Sequence, residues 1–525
     1  MRTPRPALPA TALFLAACGS SGGDLHPAVH PPAAPAGVVA TPGADSITVD
    51  WTPVPGAERY TVYFARWPGV AREHADAVAV AAPPFVDGGL RPGRARHYVV
   101  TASNAAGEGP ASAEVHATPG ERIAPPWADR APARVLVHAH DPQRSEAENG
   151  AALRAAIARL QPGDRLEVEP GRYSFTGRFG IHVEGRADAP VAIVARPGAP
   201  VVWTRPNAAQ NAVDVDFARH LVLRGIEITG GDTALKLHDC ADFWLDGCHV
   251  HHCAGVAIAA NSAHTSRLFL TGNDVHDTTG SGEGMYLGAN HGQYVMQHSV
   301  IAYNHVWNCG GSQGDGIEVK QGSFANRIVG NEVHDTNYPC ILVYGTAGRE
   351  PNVIERNVCY RSNDNVLQVQ GEAIVRNNAL FGGAVGFASH DHQGQTRALV
   401  FVHNTILTEG RGANLASWGG REGMVFANNV VYSARGDAVR FTAGSAGVAF
   451  AGNVVLGSVS GISAPVARGT GLADFAGASF DGIARDVLPS EASPLLGAGD
   501  AAYAAPEDLL GLARRAPFDA GCRER

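Results

Sequence analysis

Four versions of one short motif decide the fold: Asn273-Asp-Val-His276, Asn304-His-Val-Trp307, Asn331-Glu-Val-His334 and Asn357-Val-Cys-Tyr360. The motif opens at Cys248-His-Val-His251 and recurs at Asn378, Asn404, Asn429 and Asn453. Self-similarity at a period of roughly 20–50 residues marks stacked units that bury a continuous core only together. Each asparagine stands two residues before an apolar or β-branched one. A turn and a second alternating strand follow in most units, as in Gly316-Ile-Glu-Val-Lys320. Stacked asparagine amides bond one another and the turn backbone, so a buried polar position is satisfied turn after turn. The ladder therefore reads as structural. A leucine-rich repeat has a similar period, but its several fixed leucines per unit are absent.

These units resemble the turns of the pectate-lyase-like right-handed parallel β-helix superfamily over roughly residues 134–520. The implied fold class is all-β, a right-handed parallel β-helix. An open solenoid end exposes core and needs a cap. Asn149 to Leu160 has helical apolar spacing and is followed by a short strand, Pro162 to Tyr173, which predicts a helical plug at the amino-terminal end.

Ahead of the repeat, residues 34–118 alternate with period two at Ser46 to Trp51 and Tyr60 to Tyr63. Trp51, Leu90 and Tyr98 stand where a fibronectin type III sandwich carries its core tryptophan and tyrosine corner. The segment resembles that family, which implies a spacer or adhesion module. Residues 19–33 and the Pro/Ala-rich 119–133 read as linkers.

Residues 1–18 read as a targeting segment. Arg2 and Arg5 precede the apolar run Ala7 to Ala17. Leu15-Ala16-Ala17-Cys18-Gly19 matches the lipobox of bacterial lipoproteins. That resemblance implies lipidation at Cys18, export and anchorage at the outer membrane or cell surface. The seven other cysteines are an odd number with no CxxC cluster, and read mostly as small buried hydrophobes.

The 525 residues are 45% hydrophobic and 17% charged with net charge −9, which supports a large core and gives no basic stripe for nucleic acid. An anionic ligand would need locally concentrated positive charge. Only two lysines occur, Lys236 and Lys320.

Alternation along the strand after each turn places Lys236 and His238, Ala257 and Ala259, Tyr286 and Gly288, Glu318 and Lys320, Leu342 and Tyr344, Gln368 and Gln370, Ala388 and His390, and Ala416 and Trp418 outward. Aromatic faces and amides in such columns predict a sugar-binding strip. Glu283, Asp315 and Glu318 gather hard oxygen donors of the kind Ca²⁺ accepts. Gly314 to Ser323 looks like the lysine-bearing strand of alginate-lyase and chondroitinase-B-type β-helices. That resemblance implies a uronate-polysaccharide lyase acting by β-elimination, with Lys320 as base and Ca²⁺ screening its acidic neighbours. The arginine such enzymes carry on the next turn is replaced here by Ile341-Leu-Val-Tyr-Gly345. Tyr344 is then the expected proton donor, and His276 or His334, each followed by Asp, an alternative base. Two other readings stand beside it: a glycoside hydrolase using paired carboxylates, and a non-catalytic glycan-binding or adhesion lipoprotein.

Overall fold

Each repeat folds into three short strands because its apolar residues alternate in runs of three to seven and are cut by sharp turns. In the computed structural model, which describes residues 30–65, 69–73, 75–88, 90 and 93–525, one such turn is Val300–Ala302, His305–Cys309 and Ile317–Val319. Each strand pairs in parallel with its counterpart one turn on: Val300 with Arg327, His305 with Glu332, Ile317 with Ile341. Repetition gives a right-handed parallel β-solenoid with three faces, called here sheets one, two and three in that order. Sheet one runs from Arg134–His138 to Ala449–Ala451.

The corner between sheets one and two explains the asparagines. The residue before every ladder asparagine has positive φ, as at Gly272, Tyr303, Gly330, Arg356 and His403. A left-handed residue turns the chain sharply and aims the next side chain inward. Asn273 Nδ2 donates to Asn304 Oδ1 at 2.8 Å, and the chain of amides continues through Asn331, Asn357, Asn378, Asn404 and Asn429 to Asn453. Cys248 ends it by donating its backbone N–H to Asn273 Oδ1 at 2.9 Å. A second, shorter ladder runs through Ser299, Asn326 and Asn352 on the other side of sheet one.

The plug helix is Glu146–Ile157, three residues earlier than the apolar spacing predicts, because Ser145 and Glu148 form a capping box. Leu153 and Ile157 join the solenoid core. The described cysteines, from Cys240 to Cys522, are all buried and unpaired, as their reading as small hydrophobes requires.

Residues 36–117 form two small antiparallel sheets with Trp51, Tyr60 and Tyr98 between them. The Tyr98 hydroxyl donates to Asp87 at 2.8 Å. The expected linker 119–133 packs as a strap along sheet one. Trp127 lies against Val222 and Trp244, and Ile123 against Tyr303 and Val329. Arg94 of the sandwich pairs with Asp274 at 2.8 Å. The carboxyl-terminal segment folds back over the later turns of sheet two, where Phe475, Val487, Leu495 and Cys522 cover Tyr360, Phe381 and Tyr432. Cys18 and the targeting segment lie outside the described residues.

Candidate functional site

The chain thus covers much of its own surface: strap on sheet one, sandwich at the corner between sheets one and two, carboxyl-terminal segment on sheet two. Sheet three is left to present its outward side chains. Register places Lys236, Ala259, Tyr286, Glu318, Leu342, Gln368 and Ala388 in one column. Lys236 therefore aligns with Ala259, one slot later than simple alternation gives, and lies three turns, about 14 Å, from Glu318. Lys320, Tyr344 and Gln370 follow in the neighbouring column through the hydrogen bonds that continue the ladder past Val319 and Val343, and His390 lies just beyond the end of the next strand at Ser389.

Lys320 is the centre of this face. Its ammonium donates to Glu318 and sits 4.3 Å from the centroid of Tyr286 and 5.2 Å from that of Tyr344. Both charges are buried, Lys320 at 5% and Glu318 at 3% exposure. Burial acts to release the lysine proton, but the charge and hydrogen bond of Glu318, with Tyr286, outweigh it and raise the ammonium pKa. Burial also raises Glu318, against the pull of Lys320. Asp315 is pushed well above the usual carboxylate range, first by burial and then by the Glu318 charge. Burial and the same acids raise the Tyr344 phenol. The site at neutral pH therefore holds an ammonium, a neutral phenol and an acid reluctant to ionise.

Four buried polar atoms here have no hydrogen-bond partner: Glu283 Oε2, Asp315 Oδ1, Gln321 Oε1 and Gln370 Nε2. Each such atom costs roughly 1–3 kcal/mol unless a ligand or water satisfies it. Gly316 follows Asp315 for packing reasons rather than turn conformation, since a Cβ there would stand 2.3 Å from Val333 and 2.5 Å from the Cys340 carbonyl. The Asp-Gly pattern therefore does not by itself account for the acid.

A polypeptide bridge spans the column. Gln393 accepts from the His291 N–H at 2.8 Å and donates to Asn290 at 3.2 Å. Gly394 lies so close below that a Cβ would be 2.8 Å from both Gln321 and Gln370. The same loop brings His392 to a ring distance of 5.2 Å from Tyr344, and burial lowers its imidazole pKa. The repeat pattern gives no sign of His392, because it sits in a long turn rather than on a strand.

The remaining expected residues fall elsewhere. Lys236 donates to Asn261 and His238 contacts Ser262 at 3.0 Å. Gln368 accepts from Asn365 at 2.8 Å. His390 flanks His392 at 6.0 Å. Trp418 is not on the strip: it is fully buried in the core against Phe426 and Phe441. The strand ends at Leu415, so alternation no longer dictates where the indole points. His276 and His334 are on sheet two, not beside Lys320. Each donates through Nδ1 to the aspartate that follows, at 2.7 Å and 2.6 Å.

The three carboxylates expected to hold Ca²⁺ fit it poorly. Ca²⁺ takes about six to eight oxygens at roughly 2.3–2.6 Å. The unpaired oxygens of Glu283 and Asp315 suit a cation, but Glu318 is committed to Lys320. Among the described residues, the groups whose ligand atoms all come within 4.8 Å of one another contain histidine and do not include this trio.

Residues 206–359 match the family described as the right handed beta helix region. Among solved structures the chain is similar to pectate lyase Pel9A, at 15% identity over 76% of this chain and 98% of that one, with a TM-score of 0.42. It is also similar to the alginate lyase from Paenibacillus sp. str. FPU-7, at 18% identity over 59% of this chain and 95% of that one, with a TM-score of 0.38. The third fibronectin III domain of human KIAA0343 protein aligns with 21% of this chain and 98% of that one, at 25% identity and a TM-score of 0.15. No curated protein sequence matches the chain.

Proposed function

We propose that this parallel β-helix is a surface-anchored polysaccharide lyase that binds a uronate polymer along sheet three and cleaves it by β-elimination. One observation carries the reading: a buried ammonium, Lys320, held between two tyrosines and an acid, with four unsatisfied polar atoms around it. In a protein of net charge −9 this ammonium, shared with Glu318, is the cation a uronate carboxylate would meet on this face.

In this reading Lys320, protonated, and Asp315, as a neutral acid, offset the substrate carboxylate and acidify the carbon beside it. Lys320 thereby takes a binding role instead of the base role expected from sequence. His392, neutral near pH 7, takes the carbon-bound proton. A double bond forms between that carbon and its neighbour, the bond to the linking oxygen breaks, and the leaving oxygen takes the Tyr344 proton. General acid and base groups of this kind contribute about 10²–10⁴-fold each. No step runs through Ca²⁺, and excess chelator is expected to leave the rate unchanged.

The test is ultraviolet absorbance of new unsaturated ends on a panel of uronate polymers. Tyr344→Phe and His392→Ala should each cut the rate by about 100-fold or more. Lys320→Ala should act mainly on KM. Reducing ends without unsaturation would replace the lyase with a glycoside hydrolase. Glycan binding with no product would make the strip an adhesion surface.

A further inference from the structure

The histidines that the Lys320 site does not use form a cluster of their own on sheet two. His249 and His251 come from one strand, His249–Cys253, and His276 from the next, Asp274–Thr278. One ring nitrogen from each lies within 4.8 Å of those of the other two. His249 Nε2 and His276 Nε2 face each other at 2.6 Å.

The proton positions follow from the partners. Asp277 can only accept at 2.7 Å, so His276 carries its proton on Nδ1 and turns an Nε2 lone pair toward His249. The His251 Nδ1 contacts His252 at 2.7 Å, while its buried Nε2 stands 3.4 Å from the Glu227 carboxylate without a well-formed hydrogen bond. Imidazole nitrogens packed face to face in this way, with a carboxylate behind one of them, are the donor set of a borderline transition-metal ion and not of Ca²⁺.

We propose that His249, His251 and His276 bind one divalent ion of the Zn²⁺ class, braced by Asp277 and bridging two successive turns of the solenoid. Tetrahedral Zn²⁺ at about 2.0–2.1 Å from nitrogen needs ligand pairs about 3.3 Å apart. Ion binding would open the 2.6 Å pair to this spacing and draw in the third ring, whose ligand nitrogen already lies within 4.8 Å of the other two. The exposed side of the cluster, next to His252, leaves a fourth position for water or a ligand.

The repeat supplies an internal contrast. His305 and His334 form the same facing pair two turns on, at 2.8 Å. There Trp307 stands in the place of His251. The remaining candidate donor, Glu332, already accepts from the Tyr360 hydroxyl at 2.7 Å.

The experiment is titration of the intact, tag-free chain with Zn²⁺ by calorimetry, and with Co²⁺ read by its visible absorption. One equivalent is expected. His249→Ala and His276→Ala should each weaken it by about 100-fold or more, and Asp277→Asn by about 10- to 100-fold. His334→Ala should leave it within about threefold of wild type, since it removes no ligand. Zn²⁺ should also raise the melting temperature of wild type but not of His276→Ala, because only the native state holds the ligands together. Wild-type binding no tighter than that of the His249→Ala/His276→Ala double variant overturns the proposal. So does an equal loss in His334→Ala. If an alanine variant does not fold, His276→Gln and the Co²⁺ spectrum of wild type decide: no intense tetrahedral bands means no site.

Discussion

His403 shows how much of this protein hangs on single buried polar side chains. It occupies a left-handed corner, is fully buried, and contacts the Gly521 carbonyl at 3.3 Å and Asn428 at 2.9 Å. Burial, helped by the Arg514 charge, lowers its pKa to about 3. The unfolded chain takes up this proton below about pH 6.5 while the native chain does not, so stability falls as pH drops from 6.5 toward 3. Denaturant titrations should lose roughly 2 kcal/mol from this group between pH 7 and pH 5. His403→Gln should flatten that part of the profile. Asp315 has the opposite sign. Its raised native pKa means that stability falls as pH rises through and above 3.8. Asp315→Asn should therefore stabilise the protein at pH 7, by about 1–3 kcal/mol, and have little effect near pH 3. At this scale the sequence was only partly legible. Glu318 and Lys320 are two residues apart and plainly share a face. The contact with His392 depends on a loop whose path no periodicity describes, and Trp418 escaped because period-two counting fails once the strand has ended.

At the scale of the element, the ladder was readable because one asparagine per turn has a single physical use. Asn331→Leu removes one link and leaves the Asn304 amide without its acceptor at 2.9 Å. It should cost about 1–3 kcal/mol in urea unfolding, with an unchanged fold by circular dichroism. The shorter ladder through Ser299, Asn326 and Asn352 was hidden, since three positions in unequal loops make no visible repeat. The plug helix was legible in kind but not in its boundary: apolar spacing marks the buried stripe, whereas the start is set by polar capping at Ser145. Leu153→Ala should destabilise the amino-terminal end by about 2–5 kcal/mol, seen first as loss of amide-exchange protection in the adjoining strands.

At the scale of the whole molecule, solenoid and sandwich were foreseeable from patterning, but the wrapping was not. Composition marked 119–133 as a loose joint, and nothing local reveals that Trp127 and Ile123 lie along sheet one. The proposed anchorage through Cys18 predicts that the protein sediments with membranes and that Cys18→Ser releases it to the soluble fraction. Recovery of both forms in the soluble fraction would remove the anchor. Burial also pushes the Cys240, Cys248 and Cys253 thiols up to about 12, so they should react with thiol reagents only after denaturant is added.

The Gln393–Asn290 bridge joins loops that leave sheet three four turns apart, about 19 Å, on the face that carries Lys320. A long polymer laid on this face from the side would meet the joined loops; it must enter by an end, or wait for the two loops to part. While they stay joined, shortening would proceed from chain termini, and a viscous solution would remain viscous long after small unsaturated fragments had accumulated.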